Sequence, residues 1–182
     1  MNIIVKPYGS DMCYCRPDTT WERENRDFYS PECVNEVMWT PVVFARICKA
    51  GKCVGSKFVQ RYYDAVGCGI LMYGNKDLAY CSCIDHTSIL PSPMYNPVVL
   101  EGEKIFQVET SDACIYASDI SEAKNLLDKA ICKASRLISL RIGDYVAVEL
   151  AQIATLARRE DGDASPKGIF CENEIFNFKV IF

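Results

Sequence analysis

The 182-residue sequence contains a single histidine, His86, and none of its cysteines forms a Cys-x-x-Cys pair. Structural zinc sites usually combine four such ligands in closely spaced pairs, so both shortages argue against zinc. The sequence also has no Gly-rich phosphate loop, no Gly-x-Ser-x-Gly turn and no His-Glu-x-x-His helix. These absences exclude the familiar patterns of nucleotide-binding proteins, serine hydrolases and zinc proteases.

Positive charge is not in excess. The chain has 20 Lys and Arg against 24 Asp and Glu, a formal net charge of -4 and a pI of about 5.1. Its basic residues are scattered along the sequence. Because nucleic-acid binding needs a concentrated positive field, we expect no nucleic-acid partner.

Long apolar runs are also missing. No stretch approaches the roughly 20 apolar residues of a membrane-spanning helix. The short run Ile3 to Val5 lacks the basic start and the length of an export signal. We therefore expect no membrane partner and a cytoplasmic location.

Cysteine, in contrast, is abundant, with 11 residues. The odd count and the lack of a recognisable export signal favour reduced thiols over a disulfide framework. Most cysteines have apolar neighbours, as Cys68 and Cys132 do, and such cysteines pack as small apolar side chains. Zinc held by Cys81, Cys83 and other thiols is the alternative, and it predicts a fold that a chelator destabilises.

Apolar periodicity predicts a mostly β, α+β protein with a single domain over residues 1–182. The longest helical stripe covers 119–137, with Ser118 as N-cap. A short amphipathic helix is predicted over 56–65. Strands are predicted over 37–48, 66–73, 145–150 and 175–182, a hairpin over 98–108, and loops over 16–31, 75–96 and 157–168. Within the first strand, Pro41 is expected at an edge or a bulge.

Several short motifs follow one another in an order typical of one protein family. They are Arg16-Pro17-Asp18, Arg46-Ile47, Gly51-Lys52, Phe58, Arg61 to Val66, Gly69-Ile70, Asp77-Leu78, Thr110-Ser111-Asp112 and Ser139-Leu140-x-x-Gly143-Asp144. With the long helix, this order resembles the catalytic domain of the fumarylacetoacetate hydrolase family over most of the chain. The resemblance implies the family's mixed β-roll with one main helix.

Members of that family hold Mg²⁺ or Mn²⁺ with a Glu-x-Glu pair and an Asp. Such hard cations need several carboxylate oxygens in one place. The resemblance puts the pair at Thr40 and Val42 and the third ligand at Leu71, and none of these side chains has a carboxylate. We therefore assign no metal ligand and no catalytic residue in this chain.

Other features of the family are replaced too. The lysine that precedes the family's Gly-Phe-Asp stretch corresponds to Ser82, and of that stretch only Asp85 is kept. The family's Thr-Gly-Thr-Pro loop falls on Val148-Glu149-Leu150-Ala151, whose side chains are too large for the same close backbone approach. The first 16 residues contain no histidine to match the family's N-terminal lid.

Together the resemblance and the replacements imply a metal-free protein without hydrolytic activity that serves as a ligand-binding or assembly subunit. The expected ligand is a small carboxylic acid in an altered pocket. That pocket is predicted from Thr40, Val42, Leu71, Ser82, Asp85, Val148 and Glu149. The resemblance also implies a homodimer, with a heteromer containing an active paralogue as the alternative.

The alternative function is enzymatic. It is a hydrolase, decarboxylase or tautomerase of a short diketo acid that uses a rearranged Mg²⁺ or Mn²⁺ site. Glu36 is an acid on the same predicted strand as Thr40, but the rise of about 3.3 Å per residue puts it more than about a dozen ångströms away. Asp144 is expected to have a structural role in the Gly143-Asp144 turn.

Overall fold

The computed structural model describes residues 1–75, 82–111 and 113–182. These ranges contain 14 strands and one α-helix, α1 (Ala123–Leu137). The strands are β1 (Asn2–Lys6), β2 (Tyr14–Pro17), β3 (Trp21–Glu22), β4 (Phe28–Tyr29), β5 (Glu36–Ile47), β6 (Tyr63–Gly74), β7 (Ser88–Ile89), β8 (Ile105–Glu109), β9 (Cys114–Asp119), β10 (Tyr145–Glu149), β11 (Ala154–Arg158), β12 (Lys167–Phe170), β13 (Asn173–Asn177) and β14 (Val180–Ile181). The predicted mostly β, α+β class is confirmed. The predicted motif residues Asp77, Leu78, Cys81 and Asp112 lie outside the described residues.

The strands form two main sheets and a short pair. The eight-stranded sheet has the order β2-β1-β10-β5-β6-β7-β3. The eighth strand, β11, pairs with the first part of β5, which β10 does not reach. A second sheet has the order β13-β12-β8-β9, and β14 pairs with β4. The long antiparallel pair of β5 and β6 lies at the centre of the larger sheet, so residues on these strands have neighbours on both sides.

The eight-stranded sheet buries both of its faces. Because side chains alternate along a strand, neighbouring residues contribute to different cores. We call one side the helix face, since Val43 of β5 and Val148 of β10 pack there in a large cluster with Leu127 and Ile131 of α1. We call the other the site face. Its smaller cluster consists of Ile3, Val5, Val42, Phe44, Leu71, Tyr73, Leu90, Tyr145 and Ala147.

The helix begins later than the sequence predicts. Ser118 is part of β9, where it lies opposite Phe106 of β8, so its predicted role as N-cap was wrong. Residues 120–122 form a turn between β9 and the helix instead, and the carboxylate of Asp119, the last residue of β9, accepts hydrogen bonds from the backbone and the hydroxyl of Ser121 at 3.1 and 2.6 Å. Pairing with β8 therefore fixes the start of α1 at Ala123.

The predicted hairpin over 98–108 was wrong. Its first half is a 3-10 turn, Pro97–Leu100, and the Asn96 carboxamide caps it by accepting the Val98 N–H at 3.0 Å. The second half is β8, whose partners are β9 and β12. The capping side chain and the proline at the first position of the turn favour a helical turn over a strand.

Three further segments differ from the prediction. The helix predicted over 56–65 is a shorter 3-10 helix, Ser56–Arg61, because β6 already starts at Tyr63. The predicted loop 157–168 contains the end of β11 and the start of β12, and the predicted final strand is divided into β13 and β14.

Pro41 lies inside β5 rather than at a sheet edge or bulge. Its carbonyl accepts the Leu150 N–H at 2.8 Å, on the side of β5 where β10 has ended and β11 has not yet begun. In a strand the N–H and C=O of one residue point to the same side, so the missing N–H of Pro41 faces this gap. The ladder therefore tolerates the proline.

Candidate functional site

The three positions that the resemblance assigns to the metal meet on the site face. Thr40 of β5 lies directly opposite Leu71 of β6, and Val42 of β5 lies opposite Glu149 of β10. Thr40, Val42 and Leu71 are all 0% exposed. The sheet register therefore brings these positions together in the protein interior.

These side chains do not fit Mg²⁺ or Mn²⁺. The Thr40 hydroxyl donates to the Ala151 carbonyl at 2.7 Å, and Val42 and Leu71 belong to the apolar cluster of the site face. A hard cation at this place would lose its water without gaining anionic oxygens. Nowhere in the described part of the chain do three or more His, Cys, Asp or Glu side chains come together as a metal-binding group.

A chain of hydrogen bonds runs beside this cluster. Glu149 is 5% exposed, and its Oε1 accepts a short hydrogen bond from the Tyr73 hydroxyl. The Tyr73 and Tyr14 hydroxyls are 2.6 Å apart. Since the single Tyr73 proton is donated to Glu149, Tyr14 donates its own proton to Tyr73. We call these three residues the tyrosine–glutamate chain.

The other carboxylate oxygen of Glu149 is used by the backbone. Its Oε2 accepts the Tyr8 N–H at 2.9 Å. Glu149 thus ties the segment that follows β1 to the end of β10, while Tyr73 contributes from β6 and Tyr14 from β2. The tyrosine–glutamate chain and the Tyr8 backbone therefore join four parts of the fold.

Arg16 is buried next to this chain. It is 1% exposed, and its guanidinium carbon lies 5.0 Å from the centre of the Tyr73 ring. Its Nε donates to the Ser82 carbonyl at 2.9 Å, and Nη2 donates to the Met72 carbonyl at 2.8 Å and the Thr87 hydroxyl at 2.6 Å. Nη1 has no hydrogen-bond partner in the part of the chain that the structure describes. Burial lowers the pKa of Arg16.

Burial also keeps the two phenols protonated. Removal from water raises the pKa of Tyr14 to about 12, and it raises the pKa of Tyr73 well above its usual range. Both hydroxyls therefore keep their protons at neutral pH.

A cavity of about 390 Å³ opens beside the tyrosine–glutamate chain. Tyr14, Tyr73 and Glu149 line it, as do the apolar side chains of Pro7 and Ile153. Ser82, Cys15 and Cys83 complete the wall. Of the predicted site residues, the structure brings Glu149 and Ser82 to this cavity.

Two other predicted site residues lie elsewhere. Val148 points to the helix face and packs in the large cluster there, because it is one position out of phase with Glu149. Asp85 is exposed and lines a separate open groove of about 960 Å³ together with His86. The His86 ring contacts the buried Glu22 carboxylate, with Nδ1 3.0 Å from Oε2.

The remaining acids have structural partners. Asp144 is fully buried, and its carboxylate accepts the backbone N–H of Asn2 at 2.8 Å and of Arg141 at 2.9 Å, which is a structural role of the kind predicted. Glu36 is the first residue of β5, and its Oε1 accepts a hydrogen bond from the Thr155 hydroxyl at 2.8 Å. Neither residue supplies a carboxylate to the Thr40 region.

Sequence reasoning did not identify Tyr14, Arg16 or Tyr73 as site residues. One signal was present, since Tyr73 follows Leu71 by two positions on an apolar strand and must share its face. Tyr14 and Arg16 lie opposite Val5 and Ile3 of β1, a register that the sequence does not reveal. Their approach to Glu149 depends on how β2, β1 and β10 assemble.

Solved structures of one enzyme family share this fold. A fumarylpyruvate hydrolase from Pseudomonas aeruginosa, solved with Mn²⁺ and pyruvate, is 13% identical with a TM-score of 0.83, covering 100% of this chain and 90% of that one. A proposed fumarylacetoacetate hydrolase family protein from Yersinia pestis CO92 is 11% identical with a TM-score of 0.82, covering 99% and 92%. A maleylpyruvate hydrolase from Sphingobium sp. SYK-6 is 13% identical with a TM-score of 0.78, covering 97% and 69%.

At the level of sequence alone, no protein-family model matches the chain and no curated protein is similar to it. The structural matches show that the chain has the fold of fumarylacetoacetate hydrolase family proteins, as the sequence motifs predicted. At 10–14% identity they define the architecture rather than the activity.

Two further findings concern the cysteines and the helix. The cysteines of the described ranges form no disulfide bond with one another. Within the same ranges, the helix lacks the length and apolar character that crossing a bilayer requires.

Proposed function

We propose that this chain is a non-catalytic protein with the fumarylacetoacetate hydrolase fold, that it binds no Mg²⁺ or Mn²⁺ at the site face, and that it serves as a ligand-binding or assembly subunit. The observation that carries this proposal is the state of Thr40, Val42 and Leu71. They are fully buried, and their groups are already engaged with the Ala151 carbonyl or with apolar neighbours.

The chemistry of keto acids supports the loss of activity. The fumarylpyruvate hydrolase from Pseudomonas aeruginosa was solved with Mn²⁺ and pyruvate. A divalent ion can polarise a substrate carbonyl and hold both of its oxygens. In the present chain, Leu71 and Val42 cannot hold such an ion, and the carboxylate of Glu149, the residue opposite Val42, already accepts hydrogen bonds from Tyr73 and Tyr8.

The cavity beside Glu149 supports a binding role. Its volume of about 390 Å³ falls within the usual range of small-molecule sites, and its lining combines apolar surface with a few directed polar groups. We propose that the protein works as a homodimer in the cytoplasm, with assembly beside an active paralogue as the alternative.

Metal analysis followed by calorimetric titration tests this function. The dialysed protein is expected to contain no stoichiometric metal, and titration with Mg²⁺ or Mn²⁺ is expected to give no saturable heat. Fumarylpyruvate and maleylpyruvate are expected to remain intact in its presence. One bound Mn²⁺ per chain, together with cleavage of either compound, would support the enzyme with a rearranged site instead.

A further inference from the structure

We propose that the cavity beside the tyrosine–glutamate chain binds the ammonium group of a small organic amine, with Glu149 and Tyr14 as hydrogen-bond acceptors. This inference rests on the proposed function, because a cation held by Glu149 would compete for the same oxygens. It differs from the carboxylic acid that the resemblance implies.

In the tyrosine–glutamate chain, the positions that are still free to form hydrogen bonds are all acceptors. A carboxylate offers about four lone-pair positions, and Glu149 uses one for Tyr73 and one for the Tyr8 N–H. Tyr14 gives its proton to Tyr73, so its oxygen can only accept from a ligand. An ammonium group has three donors and no acceptor, which complements this arrangement.

Charge favours the same ligand class. An amine would form charge-assisted hydrogen bonds with the nearly buried Glu149, whereas a carboxylate ligand would bring a second negative charge beside it. Arg16 does not reverse this preference. It lies against the Tyr73 ring, and its Nε and Nη2 are bound to carbonyl and hydroxyl groups of the protein. Its Nη1, which has no partner among the described residues, is buried and does not open to the cavity. Its positive charge balances the buried Glu149 without lining the cavity.

The remaining wall suits an apolar body. Pro7, Ile153 and the ring of Tyr14 line the cavity around the polar end. A volume of about 390 Å³ is sufficient for an aromatic ring with a short linker. The expected ligand is therefore an amine with a compact apolar group.

Three probes that share a phenyl ring and a two-carbon linker test the preference for the head group. They are phenethylamine, phenethyl alcohol and hydrocinnamate, titrated into the full chain by ligand-observed NMR. We expect phenethylamine to bind, phenethyl alcohol to bind about tenfold more weakly because it lacks the charge, and hydrocinnamate to show no binding.

Two variants locate the site. Glu149→Gln keeps the size of the side chain and is expected to weaken phenethylamine binding at least about tenfold, whereas Tyr14→Phe is expected to weaken it by about three- to tenfold. Tyr29→Phe removes a phenol hydroxyl from an exposed residue on β4 and is expected to leave binding unchanged. Because Tyr14→Phe keeps the ring, it tests the site even if Glu149→Gln does not fold.

Several results would overturn the proposal. They are binding of hydrocinnamate as tight as that of phenethylamine, no binding of any probe, or unchanged binding in both site variants. If hydrocinnamate binds as tightly as phenethylamine, or if no probe binds, and the protein also binds no Mn²⁺, this inference alone is overturned. The proposed metal-free function then stays in place. Stoichiometric Mn²⁺ binding that phenethylamine does not displace would overturn both.

Discussion

The two faces of the eight-stranded sheet have opposite chemistry. On the helix face, apolar side chains such as Val43 and Val148 pack against α1 through Leu127 and Ile131. The site face has a smaller apolar cluster that lies beside buried polar groups, including Arg16, Thr40 and Glu149. Both faces are largely buried, and among the described residues Arg16 and Glu149 bring charged groups into the interior on the site face.

This difference separates the main source of stability from the place of the proposed function. Apolar burial on the helix face favours the packing of the sheet against the helix. Buried polar groups are costly unless they are hydrogen-bonded, and replacing a whole buried ion pair by well-packed apolar residues is often neutral or stabilising. The site face nevertheless keeps Tyr14, Tyr73 and Glu149 in a connected chain, which fits the binding role that we propose.

Placing the carboxylates of the family on the site face should give the largest effect. The triple variant Thr40→Glu/Val42→Glu/Leu71→Asp would bury three acids at positions that are 0% exposed, so we expect a loss of more than about 5 kcal/mol in the free energy of unfolding. Mn²⁺ should recover part of this loss, because the three carboxylates would then share a cation. Urea denaturation with and without Mn²⁺ measures both effects.

The matched control is Thr40→Gln/Val42→Gln/Leu71→Asn, which has the same shapes without charge. It should also be destabilised, but Mn²⁺ should not restore it. A triple carboxylate variant as stable as the parent would mean that this region is open to water.

A cavity on the helix face should have the next largest effect. Ile131→Ala removes a fully buried side chain from α1 and should lower the free energy of unfolding by about 2–5 kcal/mol. Leu137→Ala, at a position of the same helix that is 57% exposed, should change it by less than about 0.5 kcal/mol. Binding of phenethylamine by folded Ile131→Ala should equal that of the parent, and a loss of binding would show that the two faces are coupled.

High pH should weaken the contribution that Tyr14 makes to the stability of the site face. The pKa of Tyr14 is raised from 10.0 to about 12, so the protonated phenol is favoured by folding. This contribution is complete below about pH 10 and declines as the pH rises towards 12, because the unfolded chain loses the proton first. By pH 12, Tyr14 is expected to contribute about 2–3 kcal/mol less to the free energy of unfolding. Urea denaturation at each pH measures this loss.

The variant Tyr14→Phe should lose less stability than the parent over the same pH interval. Tyrosinate absorbance offers a second readout, since the raised pKa of Tyr14 should delay its titration to about pH 12. If the parent and Tyr14→Phe respond equally to pH, Tyr14 is more accessible to water than its buried hydrogen bond indicates.

The sequence was most informative where apolar residues are continuous. The strands predicted over 37–48, 66–73 and 145–150 correspond to β5, β6 and β10, because runs rich in β-branched residues favour buried strands. In contrast, β9 was missed because its side chains are mostly exposed and give no alternation. The hairpin over 98–108 failed because its first half is capped by Asn96 as a 3-10 turn.

The site was predictable only in part. Family motifs identified Thr40, Val42 and Leu71, and the register of β5 with β6 and β10 explains why they meet. The cavity depends on Tyr14, which reaches Tyr73 from a strand 59 positions earlier. Such contacts are set by strand order and register, which a single sequence without homologues does not encode in any local pattern.

The most direct test of the account is a crystal structure obtained with Mn²⁺ and pyruvate present, with anomalous scattering measured for manganese. The account predicts no anomalous peak near Thr40, Val42 and Leu71 and an intact hydrogen bond between Tyr73 and Glu149. A manganese ion at that location, coordinated by pyruvate and by protein oxygens, would contradict it.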